Sequence, residues 1–299
     1  MTLLRWGRSA YESDASLALE AGLLQGIDVR HHVGPNPPLD GVDVLATTSK
    51  VQVTRRELEQ VRLVVTTTSG YEHIDVDAAR QIGTLVARCP MARRDAVVES
   101  ALAMGIALLR DFGSFQRDAE AGDWTRDQLI PRSLSLVRGT AVGIVGHGVI
   151  GARAAQVWRA LGAQVQVCDP LTMPRSPSFE ELLETCRVIN LHCAYTLDNH
   201  HMVDGSVLAA MAPGTVLLNT ARGKLVDADA LLHAPHVRAG LDVFPVEPYP
   251  HLEGLAKRPH TLLTPHAAGY HDGLGEAVAQ ELAATVLAFA RGQPLPHPV

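Results

Sequence analysis

The sequence predicts an α/β protein built on parallel sheets, and three observations carry that expectation. Short apolar runs recur along most of the chain and alternate with stretches of helical periodicity, the rhythm of strands joined by crossover helices. One such run, Ala141–Val145, leads directly into Gly146-x-Gly148-x-x-Gly151 and a further helical stretch. With 299 residues, 46% hydrophobic and 19% charged, the chain has material for one large core or two modest ones.

Val42–Ala46 and Val61–Thr66 read as buried strands. Thr54–Gln60 reads as a short helix with Thr54 as its N-cap, and Leu85–Arg88 as a strand stopped by Cys89-Pro90. Asp95–Asp111 is the longest clear helix, because Ala96, Val97, Ala101, Met104, Ala107 and Leu108 fall at helical spacing. Gly105 inside it is read as a point of close packing. A polar arm follows from Gly113 to Arg138 and contains Trp124 and Pro131. From Thr140 the rhythm is regular: Ala141–Val145 a strand, Ile150–Leu161 a helix, Gln164–Cys168 a strand. Ser178–Cys186 is a helix that Ser178 and Glu181 open as a capping box. Val188–His192, Val216–Asn219, Val237–Asp242 and Thr261–Thr264 follow as strands with helices between them. Asp272–Arg291 closes the chain as a long helix with an apolar face.

A net charge of -6 argues against nucleic acid and against an anionic membrane surface as partners. No apolar run approaches the roughly 18 residues of a membrane span. The opening MTLLRWGRSAYESDAS lacks the apolar stretch of a secretory signal, so a soluble cytoplasmic protein is expected. Cys89, Cys168, Cys186 and Cys193 form no C-x-x-C and are expected to be reduced, mostly buried thiols. His31–His32 and His200–His201 are adjacent and not four apart, so no metal site is expected.

In the glycine run, the first glycine permits a tight turn, the second lets the backbone approach a pyrophosphate, and the third allows close helix–strand packing. The helix start adds unpaired N–H donors and the positive end of a dipole. The loop Gly146, His147, Gly148, Val149, Ile150 and Gly151 is therefore the candidate dinucleotide cradle, with the His147 side chain toward solvent. Asp169 ends the next strand, where a carboxylate accepts from the adenosine ribose hydroxyls and repels a 2′-phosphate. NAD is the expected cofactor; the competing reading of Asp169 is a solvated loop residue.

Three further segments place polar residues just after strands: Asn219-Thr220-Ala221-Arg222-Gly223, Asp242-Val243-Phe244-Pro245-Val246-Glu247-Pro248 and Thr264-Pro265-His266-Ala267-Ala268-Gly269. With these, the chain resembles the D-isomer-specific 2-hydroxyacid dehydrogenase family over nearly its whole length. Thr66-Thr67-Thr68-Ser69-Gly70-Tyr71-Glu72-His73-Ile74-Asp75 is similar to that family's substrate-carboxylate loop, and Val97-Val98-Glu99 to the start of its interdomain helix. Leu191-His192-Cys193-Ala194-Tyr195-Thr196 stands in the place of its LHxPLT segment. The resemblance implies two Rossmann-like, doubly wound parallel-sheet domains with the active site in a cleft between them. The substrate domain would be discontinuous, residues 1–94 plus 272–299, and the NAD-binding domain 95–271. It also implies a homodimer acting on a small 2-hydroxy or 2-keto acid.

The family's catalytic Arg, Glu and His fall on Arg222, Glu247 and His266. A guanidinium suits a substrate's carboxylate and carbonyl oxygens. Histidine is the usual proton carrier near neutrality, and a carboxylate beside it fixes its tautomer. By resemblance His192, Thr196, Thr220 and Ala221 line the cofactor site. Asp242 either contacts the nicotinamide carboxamide or supports the histidine; its bland role is to end a strand. Ser69 and Gly70 offer backbone N–H groups to the substrate carboxylate, glycine permitting close approach.

Two departures bear on substrate. Where members acting on phosphorylated hydroxy acids carry an Arg-Ser pair before Thr-Lys-Val, this chain reads Ala46-Thr47-Thr48-Ser49-Lys50-Val51, with Ala46 in the arginine's place. Arg93 stands where many members have asparagine, and reads either as a replacement anion site or as a solvated helix start. Phosphoglycerate and erythronate-4-phosphate dehydrogenases, glyoxylate or hydroxypyruvate reductases, and a non-enzymatic NAD-sensing scaffold like the C-terminal-binding-protein corepressors remain as alternatives. The short termini count against the scaffold and the erythronate-4-phosphate type.

Overall fold

A computed structural model describes residues 1–129 and 132–299; Pro131 of the arm lies outside the described residues. The chain divides into two compact units, Met1–Arg93 with Tyr270–Val299, and Arg94–Gly269.

The first unit opens with β1 (Thr2–Trp6), α1 (Asp14–Leu23) and β2 (Asp28–His32), elements that the sequence reading did not single out. β3 (Val44–Thr47), α2 (Arg55–Leu58), β4 (Leu63–Thr66), α3 (Val76–Ile82) and β5 (Leu85–Arg88) follow. Its strands pair in parallel in the order β2-β1-β3-β4-β5. β4 shows why such strands are apolar throughout: Leu63 and Val65 face one core and Val64 the other, all without exposure. Each such side chain contributes about 1.5–3 kcal/mol by leaving water.

α4 runs from Met91 to Leu109, four residues earlier than the expected start at Asp95. The reason is tertiary. The Glu281 carboxylate accepts from the N–H groups of Met91 (3.0 Å) and Ala92 (2.8 Å), capping the helix from 190 residues away. The arm is not simply extended. Asp111 turns left-handed (φ 56°) and α5 (Phe112–Glu120) begins at once.

The second unit continues with β6 (Ala141–Val145), α6 (Val149–Ala160), β7 (Gln164–Cys168), α7 (Phe179–Thr185) and β8 (Val188–Leu191). α8 (Gly205–Ala210), β9 (Val216–Asn219), α9 (Ala228–Leu231), β10 (Arg238–Leu241), α10 (Leu252–Lys257) and β11 (Thr261–Leu263) complete it. The order β11-β10-β9-β8-β6-β7 is all parallel, with its reversal between β6 and β8. Gly105 of α4 does pack closely: a Cβ there would sit 2.8 Å from the Trp158 ring. Ser178 and Glu181 make the capping box as expected. The ladder is shorter than the apolar runs; His192, Asp242 and Thr264 step off it into loops. The final helix, α11 (Leu274–Ala290), starts two residues after Asp272 and covers the first sheet with Leu282, Ala283 and Val286.

The chain thus forms two α/β units, each built on a doubly wound parallel sheet. Among the described residues no helix is long and apolar enough to cross a membrane, and no group of three or more acidic, His or Cys side chains could hold a metal. Cys89, Cys168 and Cys186 are buried, Cys193 less so, and all four are unpaired thiols.

Candidate active site

In the second unit every strand is parallel, so the segments following β6, β7, β8, β9, β10 and β11 emerge along one edge of the sheet. The glycine loop, Asp169, His192, Thr220–Arg222, Asp242 and His266 are those segments. Topology alone therefore gathers residues from the whole length of the unit.

The three glycines have different reasons. Gly146 is left-handed (φ 94°), and a Cβ on it would meet Cys193 N at 2.6 Å; one on Gly151 would meet Gly146 O at 2.0 Å. Gly148 has nothing within 4 Å of a Cβ and caps α6 with no side chain of its own. The α6 N-terminus therefore has open space over Gly148 and no side chain of its own cap in the way, which suits a pyrophosphate. Ile150 packs its side chain into the core, leaving its backbone to face the loop.

Asp169 holds this loop from outside. It accepts from His147 N (2.6 Å), Leu171 N (3.1 Å) and Thr172 N (3.0 Å). Burial pushes its carboxyl up, but the His147, Thr172 and Leu171 donors outweigh that and hold it below the usual carboxylate value. Nearby, His192 Nε2 and Thr220 Oγ1 are buried polar atoms without a protein partner, the condition of groups that a ligand completes. Burial pushes His192 down to about 4, so it is neutral at physiological pH and not a proton donor there. Thr196 is exposed on the loop beyond, with its N–H donating to Asn199 Oδ1 (2.7 Å). Ala221 uses its own N–H on Asn219 Oδ1 (3.1 Å).

The two residues expected to carry acid–base chemistry, His266 and Glu247, come together beside Asp242. His266 Nδ1 lies 2.7 Å from Glu247 Oε2, and Glu247 Oε1 accepts from Phe244 N (3.0 Å). His266 itself is left-handed (φ 54°), a conformation that costs a non-glycine residue stability and persists only when its surroundings impose it. Here they do. Asp242, 1% exposed, accepts from Thr264 Oγ1 (2.6 Å), Ala267 N (2.7 Å) and Ala268 N (3.1 Å), while its carbonyl takes His266 N (2.8 Å). All three donors meet Oδ1, and Oδ2 shares only the Ala268 N–H (3.1 Å), so one oxygen of Asp242 organises the histidine turn. Arg222 is half-buried, with Nη1 on Ala221 O (2.6 Å).

In the first unit, the segments after β1, β3, β4 and β5 likewise share one edge. Ser69 and Gly70 sit in the turn after β4. None of the N–H groups of Ser69, Gly70 and Tyr71 donates to an acceptor among the described residues, whereas Thr68 O takes Cys89 N (3.2 Å) and Gly70 O takes Thr68 Oγ1 (2.7 Å). Carbonyls satisfied and amides open make an anion-binding turn. Arg93 reaches it, donating from Nη1 to Thr67 O (2.6 Å).

A family model described as the D-isomer specific 2-hydroxyacid dehydrogenase NAD-binding domain matches residues 102–268. The glyoxylate reductase of Thermococcus litoralis is 30% identical over 275 residues, covering 86% of this chain and 83% of that protein. The chain belongs to the D-isomer-specific 2-hydroxyacid dehydrogenase family. The D-3-phosphoglycerate dehydrogenase of Bacillus subtilis is 32% identical over 85% of this chain, but the chain spans only 50% of its length. A solved structure, the TT0316 protein of Thermus thermophilus, is 30% identical with a TM-score of 0.78 over all of both chains.

Several residues that shape this dehydrogenase-family site had no assigned role in the sequence. A Cβ on Gly223 would lie 1.9 Å from the Phe244 carbonyl carbon, so glycine lets the Arg222 turn lie directly on the Asp242–Glu247 segment. Asn219, fully buried, bonds both Ala221 N and Arg222 O (2.9 Å) and so sets the Arg222 turn. An asparagine ending an apolar strand was a visible signal for it. Arg88 carried none: it ends β5 like any strand residue.

Proposed function

We propose that this protein transfers a hydride between NAD(H) and a D-2-hydroxy acid or its 2-keto acid. The observation that carries the reading is the Glu247–His266 pair, with the histidine turn held by Oδ1 of Asp242. With Nδ1 tied to Glu247, the Nε2 atom of His266 is the one left to exchange a proton. Bound at the glycine loop, NAD(H) supplies the hydride chemistry at the substrate's C2. In reduction, His266 Nε2 gives its proton to the oxygen as that oxygen gains negative charge, and Glu247 steadies the imidazolium beforehand. Arg222 polarises the same carbonyl and binds the carboxylate. Ser69 and Gly70 take the carboxylate on their N–H groups. In oxidation His266 accepts the hydroxyl proton. Asp169 favours NAD over its 2′-phosphorylated form.

The test is NADH oxidation against a panel of 2-keto acids, with His266→Ala as the control. Turnover that disappears in the control is the expected result. NADH binding without turnover of any acid would instead favour a cofactor-sensing scaffold. A cytoplasmic homodimer belongs to the same reading: Phe112 just before the arm, and Trp124 and Leu136 within it, are exposed apolar side chains that a partner copy would cover. A monomeric mass in solution would remove the dimer.

A further inference from the structure

Two guanidinium groups attend the turn after β4. Arg93 Nη1 donates to Thr67 O at 2.6 Å and Arg88 Nη1 to Ser69 O at 3.2 Å. Each also lies over a ring, Arg93 4.6 Å from the Tyr11 centroid and Arg88 5.8 Å from that of Tyr71. Tyr11 is tied to the same turn, its hydroxyl 3.1 Å from Thr67 Oγ1.

Elsewhere in this unit, Arg5, Arg8, Arg30, Arg62 and Arg80 each have a carboxylate within ion-pair distance. Among the described residues Arg88 and Arg93 have none. Each uses one N–H of a possible five on a protein oxygen, and Arg88 Nε and Ser69 Oγ are buried without partners. The turn thus combines open amides, two cations with no carboxylate at ion-pair distance and two orphaned polar atoms. The substrate carboxylate, assigned above to Arg222 and the turn amides, leaves both guanidinium groups without an anion at ion-pair distance; Glu281 acts on Arg93 only from farther off.

We propose that the substrate carries a second anionic group, a carboxylate or a phosphate, and that Arg93 binds it while Arg88 positions the turn. This rests on the dehydrogenase reading above. Ala46, buried in β3, contributes no charge to the site, so the second anion is read from the start of α4 instead.

The experiment compares pairs that differ by the second anion with NADH: oxaloacetate against 4-methyl-2-oxovalerate, and 3-phosphohydroxypyruvate against hydroxypyruvate. The expected result is a preference of about 10–100-fold in kcat/KM for the more highly charged member of at least one pair, the scale of one lost charge-assisted hydrogen bond. Arg93→Gln should reduce that preference to under about threefold, through KM, while turnover of the monoanions persists and shows the variant folded. Arg93→Lys should restore part of it. A preference in the first pair assigns a carboxylate, in the second a phosphate. No preference in either pair overturns the proposal, as does Arg93→Gln lowering both members of a pair equally, which would leave Arg93 as a brace for Thr67. Absence of turnover with all four acids while another 2-keto acid of the wider panel is reduced also overturns the proposal; absence of turnover with the whole panel overturns the dehydrogenase reading itself, a distinguishable failure.

Discussion

A methyl group added to each glycine of the nucleotide loop separates what the fold requires from what the cofactor requires. At Gly146 an alanine would have to adopt φ 94° with its Cβ 2.6 Å from Cys193 N. The left-handed conformation costs about 1–2 kcal/mol and overpacking against backbone about 1–3 kcal/mol more. Gly146→Ala is therefore expected to lose about 2–5 kcal/mol, or roughly 4–20 °C in Tm for a unit of this size. Gly151→Ala meets Gly146 O at 2.0 Å and should be destabilised through overpacking alone. Gly148→Ala is different, because its φ is -70° and nothing lies within 4 Å. Replacing glycine at a helix N-cap costs under about 1 kcal/mol, so its melting should stay close to the parent's. Its Cβ would nevertheless enter the space assigned to the pyrophosphate, and NADH affinity should fall about 10–100-fold. Differential scanning fluorimetry on the three variants and an NADH fluorescence titration on Gly148→Ala read both effects. Parent-like melting of Gly146→Ala would refute the packing argument, and parent-like NADH affinity of Gly148→Ala the placement of the cofactor.

Two other outcomes follow from buried carboxylates. Asp242→Asn can keep an oxygen at the Oδ1 position but sets its NH2 at Oδ2 against the Ala268 N–H and removes the charge that strengthens the Thr264, Ala267 and Ala268 bonds; it should cost about 1–3 kcal/mol in urea denaturation and lower kcat more than it changes KM. Unchanged kcat would show that the His266 turn holds without it. Glu20 lies on the inner face of α1, 2% exposed with Arg5 at 2.9 Å, and burial pushes it from 4.5 up to about 7 against the pull of Arg5. The folded chain then holds this proton more tightly than the unfolded chain, so its contribution is full below pH 4.5 and lost as pH rises through about 7. Glu20→Gln should flatten the stability difference between pH 5 and pH 8 by ~1–3 kcal/mol, measured by denaturation at both. Equal pH slopes in parent and variant would contradict the shift.

Local chemistry made much of this protein legible in its sequence. Strands buried on both faces must be apolar throughout, so Val188–Leu191 and Val216–Asn219 announce themselves. A tight turn and a close backbone approach demand glycine, so Gly146 and Gly151 mark the loop before any coordinates exist. The family resemblance adds the candidate roles of Arg222, Glu247 and His266.

Contacts between distant positions are another matter, because no local pattern encodes them. Periodicity began α4 at Asp95; the carboxylate of Glu281 begins it at Met91. The sequence leaves Asp242 as a cofactor contact, a support or a strand end; in the fold three donors from a loop more than twenty residues on converge on its Oδ1. The sequence by itself determined the fold class, the cofactor loop and the residue types of the chemistry, since these follow from side-chain size, polarity and backbone freedom. Only the tertiary structure decided how His266 is held and that Arg88 and Arg93 meet at one turn. Hydrogen-bond geometry and charge compensation exist only once the chain has brought their partners together.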